Sequence, residues 1–209
     1  MNIIAITVSV NYSDILEHII AQNMKFLYKW FIVTEKSDTK TIQLLEEYKN
    51  HNDVIQILLY DGFYTNKCTF NKGGAIKFAQ DYIDTHFTES NILILDSDIY
   101  LPNNFKDSLP PIIRPKALYG VANRYDYWSM DDFINGSNPH KYKHGNKFVG
   151  FFQLYKQSSI HTYKDSVNCG KCDDDFRDLF NIRYTLNLSV KHLGKEGVNW
   201  NGRSDDTKL

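Results

Sequence analysis

Long hydrophobic runs are missing from this sequence. The most apolar stretch, Ile3 to Val10, is interrupted by Thr7 and Ser9, far short of the ~18 consecutive apolar residues that a membrane-spanning helix needs. It also lacks a basic flank and a cleavage-like site, so it does not read as a secretion signal. Excess charge is missing too. The 24 Lys and Arg against 25 Asp and Glu leave a formal net charge of −1, which excludes the electrostatic footprint of a general nucleic-acid binder. Cysteine is scarce and odd in number: Cys68, Cys169 and Cys172 argue for a reducing compartment and against a disulfide framework. No internal repeat or low-complexity tract occurs. These absences predict a soluble, cytoplasmic protein without a membrane span. Its 209 residues suit one domain, since single domains commonly reach roughly 250.

What is present is an alternation. Ile3 to Val10, Trp30 to Thr34, Val54 to Tyr60 and Asn91 to Leu95 read as strands, the first almost continuously apolar and so buried on both faces. Helical patterns separate them. Ser13 or Asp14 opens the first, with Glu17 placed for a capping box, and Asp38 caps the second. Asn71 caps the third, in which Ala75, Phe78, Ala79, Tyr82, Ile83 and Phe87 form an apolar stripe. This order predicts an α/β fold, a mainly parallel sheet with helices on both faces and a ligand site at the carboxyl ends of the strands. Beyond it the pattern loosens. Ala117 to Ala122, Lys147 to Tyr155 and Tyr184 to Val190 read as strands, Asp173 to Phe180 as a short helix, and Arg124 to Asn146 as a long polar and aromatic loop.

Four features carry chemistry. Asp96-Ser97-Asp98 directly follows the apolar strand Ile92 to Leu95. Paired hard oxygens at that point suit Mg²⁺ or Mn²⁺ held together with substrate phosphates; the plainer reading is a capped turn with Asp98 in water. Asn71-Lys72-Gly73-Gly74-Ala75 starts a helix, where adjacent glycines and the helix amino end favour an anion. It lacks the spacing of a P-loop and equally suits a helix start packed at the sheet edge. Asp173-Asp174-Asp175 either complements a helix dipole or supplies, from Asp173 or Asp174, a general base for an acceptor hydroxyl. The tail from His192 to Arg203, rich in glycine and containing Lys195, has a composition suited to closing over a diphosphate.

Taken in order, Asn-Tyr after the first strand, Phe70 to Ala75, Leu95-Asp96-Ser97-Asp98-Ile99, Asp173 to Phe176 and the H-L-G…N-W-x-G-R tail resemble the GT-A glycosyltransferases, those with a D-x-D motif and nucleotide-sugar donors. The tail is similar to that of some bacterial and viral sugar transferases. The resemblance spans Val8 to Arg203. It implies a GT-A fold with a Rossmann-like, mostly parallel central sheet flanked by helices, and one catalytic domain over 1–209. Residues 1–98 would form the nucleotide-binding half, and 99–209 the acceptor-binding half and closing tail. Val8 and Tyr12, with Thr34 or Glu35, would hold a pyrimidine base, Tyr12 by stacking. Lys72 would lie near the nucleotide. Asp96 would contact ribose or metal, with Ser97 beside it, and Asp98 and His192 would ligate Mn²⁺. Lys195 and Arg203 would neutralise the leaving diphosphate.

The resemblance thus implies a metal-dependent hexosyltransferase that uses a UDP-sugar and a glycan or glycoprotein acceptor, either complete or cut from a longer multidomain transferase. The acidic run resembles the E-D-x-D segment of inverting transferases, with Cys172 in the place of their Glu and Asp173 as base. The tail is also similar to the H-x-x-G-x-x-K-P-W ending of retaining transferases, with Asn199 in the place of Pro. Both stereochemical outcomes stay open. Two other classes compete. A non-catalytic nucleotide-sugar or glycan-binding module would use the same aromatic loop, and the Cys169/Cys172 pair would suit a redox dithiol or, with a histidine such as His161, zinc.

Overall fold

The structure is a computed structural model that describes residues 1–65, 68–143, 148, 150–157, 161–167 and 169–194. Its central strand is sealed on both faces. In β1 (Ile3–Val8) the residues Ile3, Ile4, Ala5 and Ile6 are essentially inaccessible to solvent. This is the burial expected of an unbroken apolar run in a parallel sheet. β2 (Lys29–Thr34) and β4 (Asn91–Leu95) pair with it in parallel on either side, and β3 (Ile55–Leu59) extends the parallel ladder beyond β2. The connections are helices α1 (Ser13–Asn23), α2 (Thr39–Lys49) and α3 (Lys72–His86). Ile15, Leu16, Ile19 and Leu45 of α1 and α2 pack with Trp30, Ile32 and Leu93 on one face, whereas Ala75, Ile76, Ala79 and Ile83 of α3 pack with Ile4, Ile6 and Ile94 on the other. Burying each Ile or Leu among them is worth roughly 1.5–3 kcal/mol, and the two-faced core follows directly from the two helical stripes.

The sheet continues through the second half in the order β3-β2-β1-β4-β8-β6-β9-β5, with β7 pairing β6 off that path. The added strands are β5 (Ile99–Tyr100), β6 (Ala117–Tyr127), β7 (His140–Lys143), β8 (Phe152–Lys156) and β9 (Ile182–Leu193). β8 runs antiparallel to β4 and β6, and β5 antiparallel to β9, while β6 and β9 are parallel. This half also carries two short α-helices, α4 (Met130–Asn135) and α5 (Cys169–Arg177), and α5 packs Phe176 onto the same face as α3. No helix of the described residues is long and apolar enough to cross a membrane.

Asp38 and Asn71 cap α2 and α3 as the sequence predicts, accepting from Thr41 N and Gly74 N. Elsewhere the structure corrects the pattern. The residue before α1 is Tyr12, with no side-chain cap, so the capping box around Asp14 does not form. Phe78 and Tyr82 lie on the exposed flank of α3 rather than in its buried stripe. The segment Arg124 to Asn146 is not one loop: β6 runs on to Tyr127, and α4 and β7 follow. α5 begins at Cys169, so Asp173 to Asp175 sit inside the helix and do not open it. β9 extends past Val190 and places His192 within a strand, hydrogen-bonded between two neighbours, not in a trailing tail.

Candidate active site

Because β1, β2 and β4 are parallel, their carboxyl ends share one edge, and Asp96-Ser97-Asp98 leaves β4 there. The ground beneath is rigid. Trp30 Nε1 donates to Thr7 Oγ1 at 2.8 Å, and Thr7 Oγ1 donates to the carbonyl of Leu95 at 2.7 Å, all buried. Asn23, at the end of α1, holds β5 by donating to Ile99 O at 2.8 Å and accepting from Leu101 N at 2.9 Å. The acidic turn is therefore fixed at both of its ends.

β9 delivers His192 to the same place from the opposite direction. It pairs with Ile99 of β5 on one side and with Asp126 of β6 on the other. Its Nε2 lies 3.2 Å from Asp98 Oδ2, and its Nδ1 makes an ion-pair contact with Asp126 Oδ1 at 3.2 Å. Arg124 grips Asp126 with both ends of its guanidinium, at 2.7 and 2.9 Å. The result is a buried line of alternating charge, Arg124–Asp126–His192–Asp98. Burial works against a charged imidazole, but Asp98 and Asp126 outweigh it and push His192 up to about 9. Burial likewise opposes the Asp98 charge, and His192, Arg124 and Lys72 outweigh it and hold that carboxyl below its ordinary value.

A second charge cluster faces the first. Lys72, at the start of α3, is buried and reaches Asp96 Oδ1 at 2.8 Å and Asp173 Oδ2 at 3.0 Å. Its ammonium is raised well above its ordinary value; burial alone would lower it, and the Asp173 and Asp96 charges overcome that cost. Asp96, whose side chain is 32% exposed, is pushed up to about 6 by burial, with Asp98 and Asp173 adding to the rise and Lys72 opposing it. Asp173 rests against bare backbone: a Cβ on Gly150 would lie 1.9 Å from its Cγ. Its Oδ1 lies 3.0 Å from Tyr163 Oη, which also lies 2.6 Å from Gln153 Oε1. Phe148 stands next to this cluster at φ 48°, in the left-handed region that bulky residues rarely occupy, and its carbonyl takes a hydrogen bond from Gln153.

Asp96, Ser97, Asp98, His192, Lys72 and Asp173 are thus brought together. Other predicted residues are not. Asp174 projects from the far side of α5, exposed and paired with Arg177, because consecutive helix positions diverge by about 100°. Tyr12 is 6% exposed and packs in the core, so it does not present a face for base stacking. Thr34 is buried with its hydroxyl on Asp38 at 3.2 Å, and Asp38 also takes the amide of Asn11 at 2.6 Å. These contacts tie the loops after β1 and β2 into a floor on which Val8 is half-buried. Lys195 and Arg203 lie outside the described residues, as does the side chain of Cys169. Cys172 is buried, and His161 is stacked on Phe180 at 4.2 Å. Sequence pattern missed Arg124, Asp126, Gln153 and Tyr163, all buried polar groups; the alternation Arg-Tyr-Asp-Tyr from 124 to 127 is the signal that was there to find them.

Among the described residues, no three His, Cys, Asp or Glu side chains converge as a ready-formed metal cage, and Asp96 is occupied by Lys72. Asp98 and His192 do fit a divalent ion in one respect. Asp98 Oδ1 is buried and has no hydrogen-bond partner, an uncompensated anionic oxygen of the kind hard cations take.

No protein-family model matches the chain, and no curated protein matches it. Solved structures do. S. aureus TarS 1–349 in complex with UDP-GlcNAc superposes with a TM-score of 0.62 at 14% identity, over 94% of this chain and 60% of that one. The mannosyltransferase PcManGT from Pyrobaculum calidifontis, in complex with GDP-Man and Mn²⁺, gives 0.56 at 14% identity, over 95% and 59%. The inositol-1-phosphate CTP transferase from T. maritima gives 0.51 at 7% identity, over 92% and 89%. The chain therefore spans about three fifths of the length of the first two. At such identities the likeness is one of fold, and the fold is GT-A, the nucleotide-diphospho-sugar transferase architecture.

Proposed function

We propose that this chain is a metal-dependent glycosyltransferase that moves a hexose from a UDP-sugar to a hydroxyl of a glycan or glycoprotein acceptor. Residues 1–209 would act as one catalytic domain: 1–98 would hold the nucleotide, and 99–209 the acceptor. The fold shared with proteins solved in complex with UDP-GlcNAc and with GDP-Man and Mn²⁺ supports a nucleotide-sugar donor. The observation that carries the reading is Lys72 bridging Asp96 and Asp173. It brings a strand-end acid and a helix acid to one cation, the pairing that donor activation and acceptor deprotonation together require.

Asp98 and His192 would hold a divalent ion, which supplies charge stabilisation to the departing diphosphate when bound. Lys72, released from Asp96 when a donor enters, keeps a cation beside the phosphates. Asp173 takes the proton of the acceptor hydroxyl. Attack by that oxygen on the face opposite the diphosphate would invert the anomeric centre. Lys195 and Arg203 would add positive charge to the closing segment. A thermal-shift panel of nucleoside diphosphates with and without Mn²⁺ tests the proposal: stabilisation by one nucleotide only when the cation is present supports it, and none with any nucleotide rejects it. Asp173→Asn should keep that stabilisation and lose transfer. Binding without turnover in the wild type would instead indicate a non-catalytic module.

A further inference from the structure

Gln153 and Tyr163, both buried, set one hydroxyl between two acceptors, Gln153 Oε1 and Asp173 Oδ1. Gln153 Nε2 donates to two main-chain carbonyls, Phe148 O at 3.1 Å and Asp173 O at 3.2 Å. Those acceptors fix the orientation of the amide, because the flipped form would set its oxygen against both carbonyls. Gln153 Oε1 therefore faces the Tyr163 hydroxyl, 2.6 Å away. The same hydroxyl lies 3.0 Å from Asp173 Oδ1. A phenol carries one hydrogen, so two acceptors compete for it. With the hydrogen on the shorter contact, Tyr163 turns a lone pair toward Asp173 Oδ1. Among the described residues, the Cys172 thiol, a weak donor, also lies near that oxygen at 3.9 Å.

We propose that Asp173 Oδ1 is a built proton seat, and that Tyr163 and Gln153 are positioning residues whose hydrogen-bond chain closes only when Asp173 takes up a proton there. The inference rests on the reading of Asp173 as the acceptor base. In that step the acceptor O–H bond breaks and its proton passes to Asp173. The acceptor oxygen bonds to the anomeric carbon, and the bond from that carbon to the diphosphate breaks, its electron pair leaving on the diphosphate oxygen. The new hydrogen then joins Oδ1 to Tyr163, which donates onward to Gln153. The protonated carboxyl makes one hydrogen bond more than the ionised one, at a buried place where an unmatched polar pair is costly. Among the described residues, the other groups facing Asp173 are Lys72 on Oδ2, Cys172 on its own helix, and Asp96 beyond Lys72.

A double-mutant cycle read by thermal unfolding in chelator tests the hydrogen count without turnover. Asp173→Asn supplies an N–H where the proton would sit. Tyr163→Phe should therefore lower Tm more in the Asp173→Asn background than in the wild type, and an equal or smaller loss overturns the inference. In transfer assays Tyr163→Phe and Gln153→Met should each lower kcat by roughly 100-fold, at the low end of what proton-transfer catalysis contributes, with donor KM within about twofold. A matching loss of donor affinity would mark a merely structural role and overturn the positioning claim. If the wild type shows no Mn²⁺-dependent nucleotide stabilisation, the transferase reading fails, and the melting cycle still decides the proton seat.

Discussion

His192 Nε2 lies 3.2 Å from Asp98 Oδ2, with both side chains buried. The imidazole is pushed up to about 9, whereas an unfolded histidine titrates near ~6.5. A raised folded value gives stability that is fully present below the unfolded value and is lost as pH rises through the folded one. The difference is worth on the order of 3 kcal/mol. In metal-free buffer, His192→Gln should therefore lower Tm strongly at pH 6 and much less at pH 10. A gap that stays constant across that range would show that the pair contributes no such linkage.

Asp98 keeps one buried oxygen, Oδ1, without a hydrogen-bond partner. Asp98→Ala should abolish Mn²⁺-dependent UDP binding in calorimetry and lower the metal-free Tm, because it strips His192 of one of its two carboxylates. Unchanged cation-dependent UDP affinity would remove Asp98 from the proposed ion site. Cation binding should also release a proton near neutral pH, since a nitrogen of His192 must be bare to ligate.

The strand-end position of Asp96 and Asp98 was legible because β4 is an unbroken apolar strand, so the acids beside it stand out. Lys72 was legible through the helix start that Asn71 caps. Asp126 and Arg124 were not. β6 turns polar residues toward a buried site, and the usual contrast of apolar inside and polar outside is reversed there, which makes a strand look like a loop. Asp173 and Asp174 are indistinguishable in a run of three carboxylates; only the rotation of α5 directs one to Lys72 and the other to Arg177. The parallel half of the sheet follows from its helix-strand alternation, whereas the antiparallel half depends on long-range pairings such as β4 with β8, which no local pattern encodes.

Asp96 should act against stability at neutral pH. Its carboxyl is pushed up to about 6, above the ~3.9 of an unfolded aspartate. A raised carboxyl value means that stability is lost as pH rises through the folded value. The Tm of Asp96→Asn relative to wild type should accordingly become more favourable between pH 4 and pH 7. Lys72→Met should act in the opposite sense at pH 7, lowering Tm by leaving two carboxylates without their shared cation. Melting curves of both variants across pH check the pair, and a pH-independent difference for Asp96→Asn would show that its charge is not penalised in the fold.

Gly150 makes room for Asp173 at the cost of no side chain of its own. A Cβ there would sit 1.9 Å from Asp173 Cγ and 1.9 Å from Oδ2, so the carboxylate must leave its place. It cannot withdraw without giving up Lys72 on one oxygen and Tyr163 on the other. Gly150→Ala should therefore destabilise the protein by about 1–3 kcal/mol, the usual range for overpacking. It should also reduce transfer about as much as Asp173→Asn does, while Mn²⁺-dependent nucleotide binding, which the proposal assigns to Asp98 and His192, stays close to wild type. If turnover survives Gly150→Ala intact, Asp173 does not need this position to work, and the base belongs to another residue.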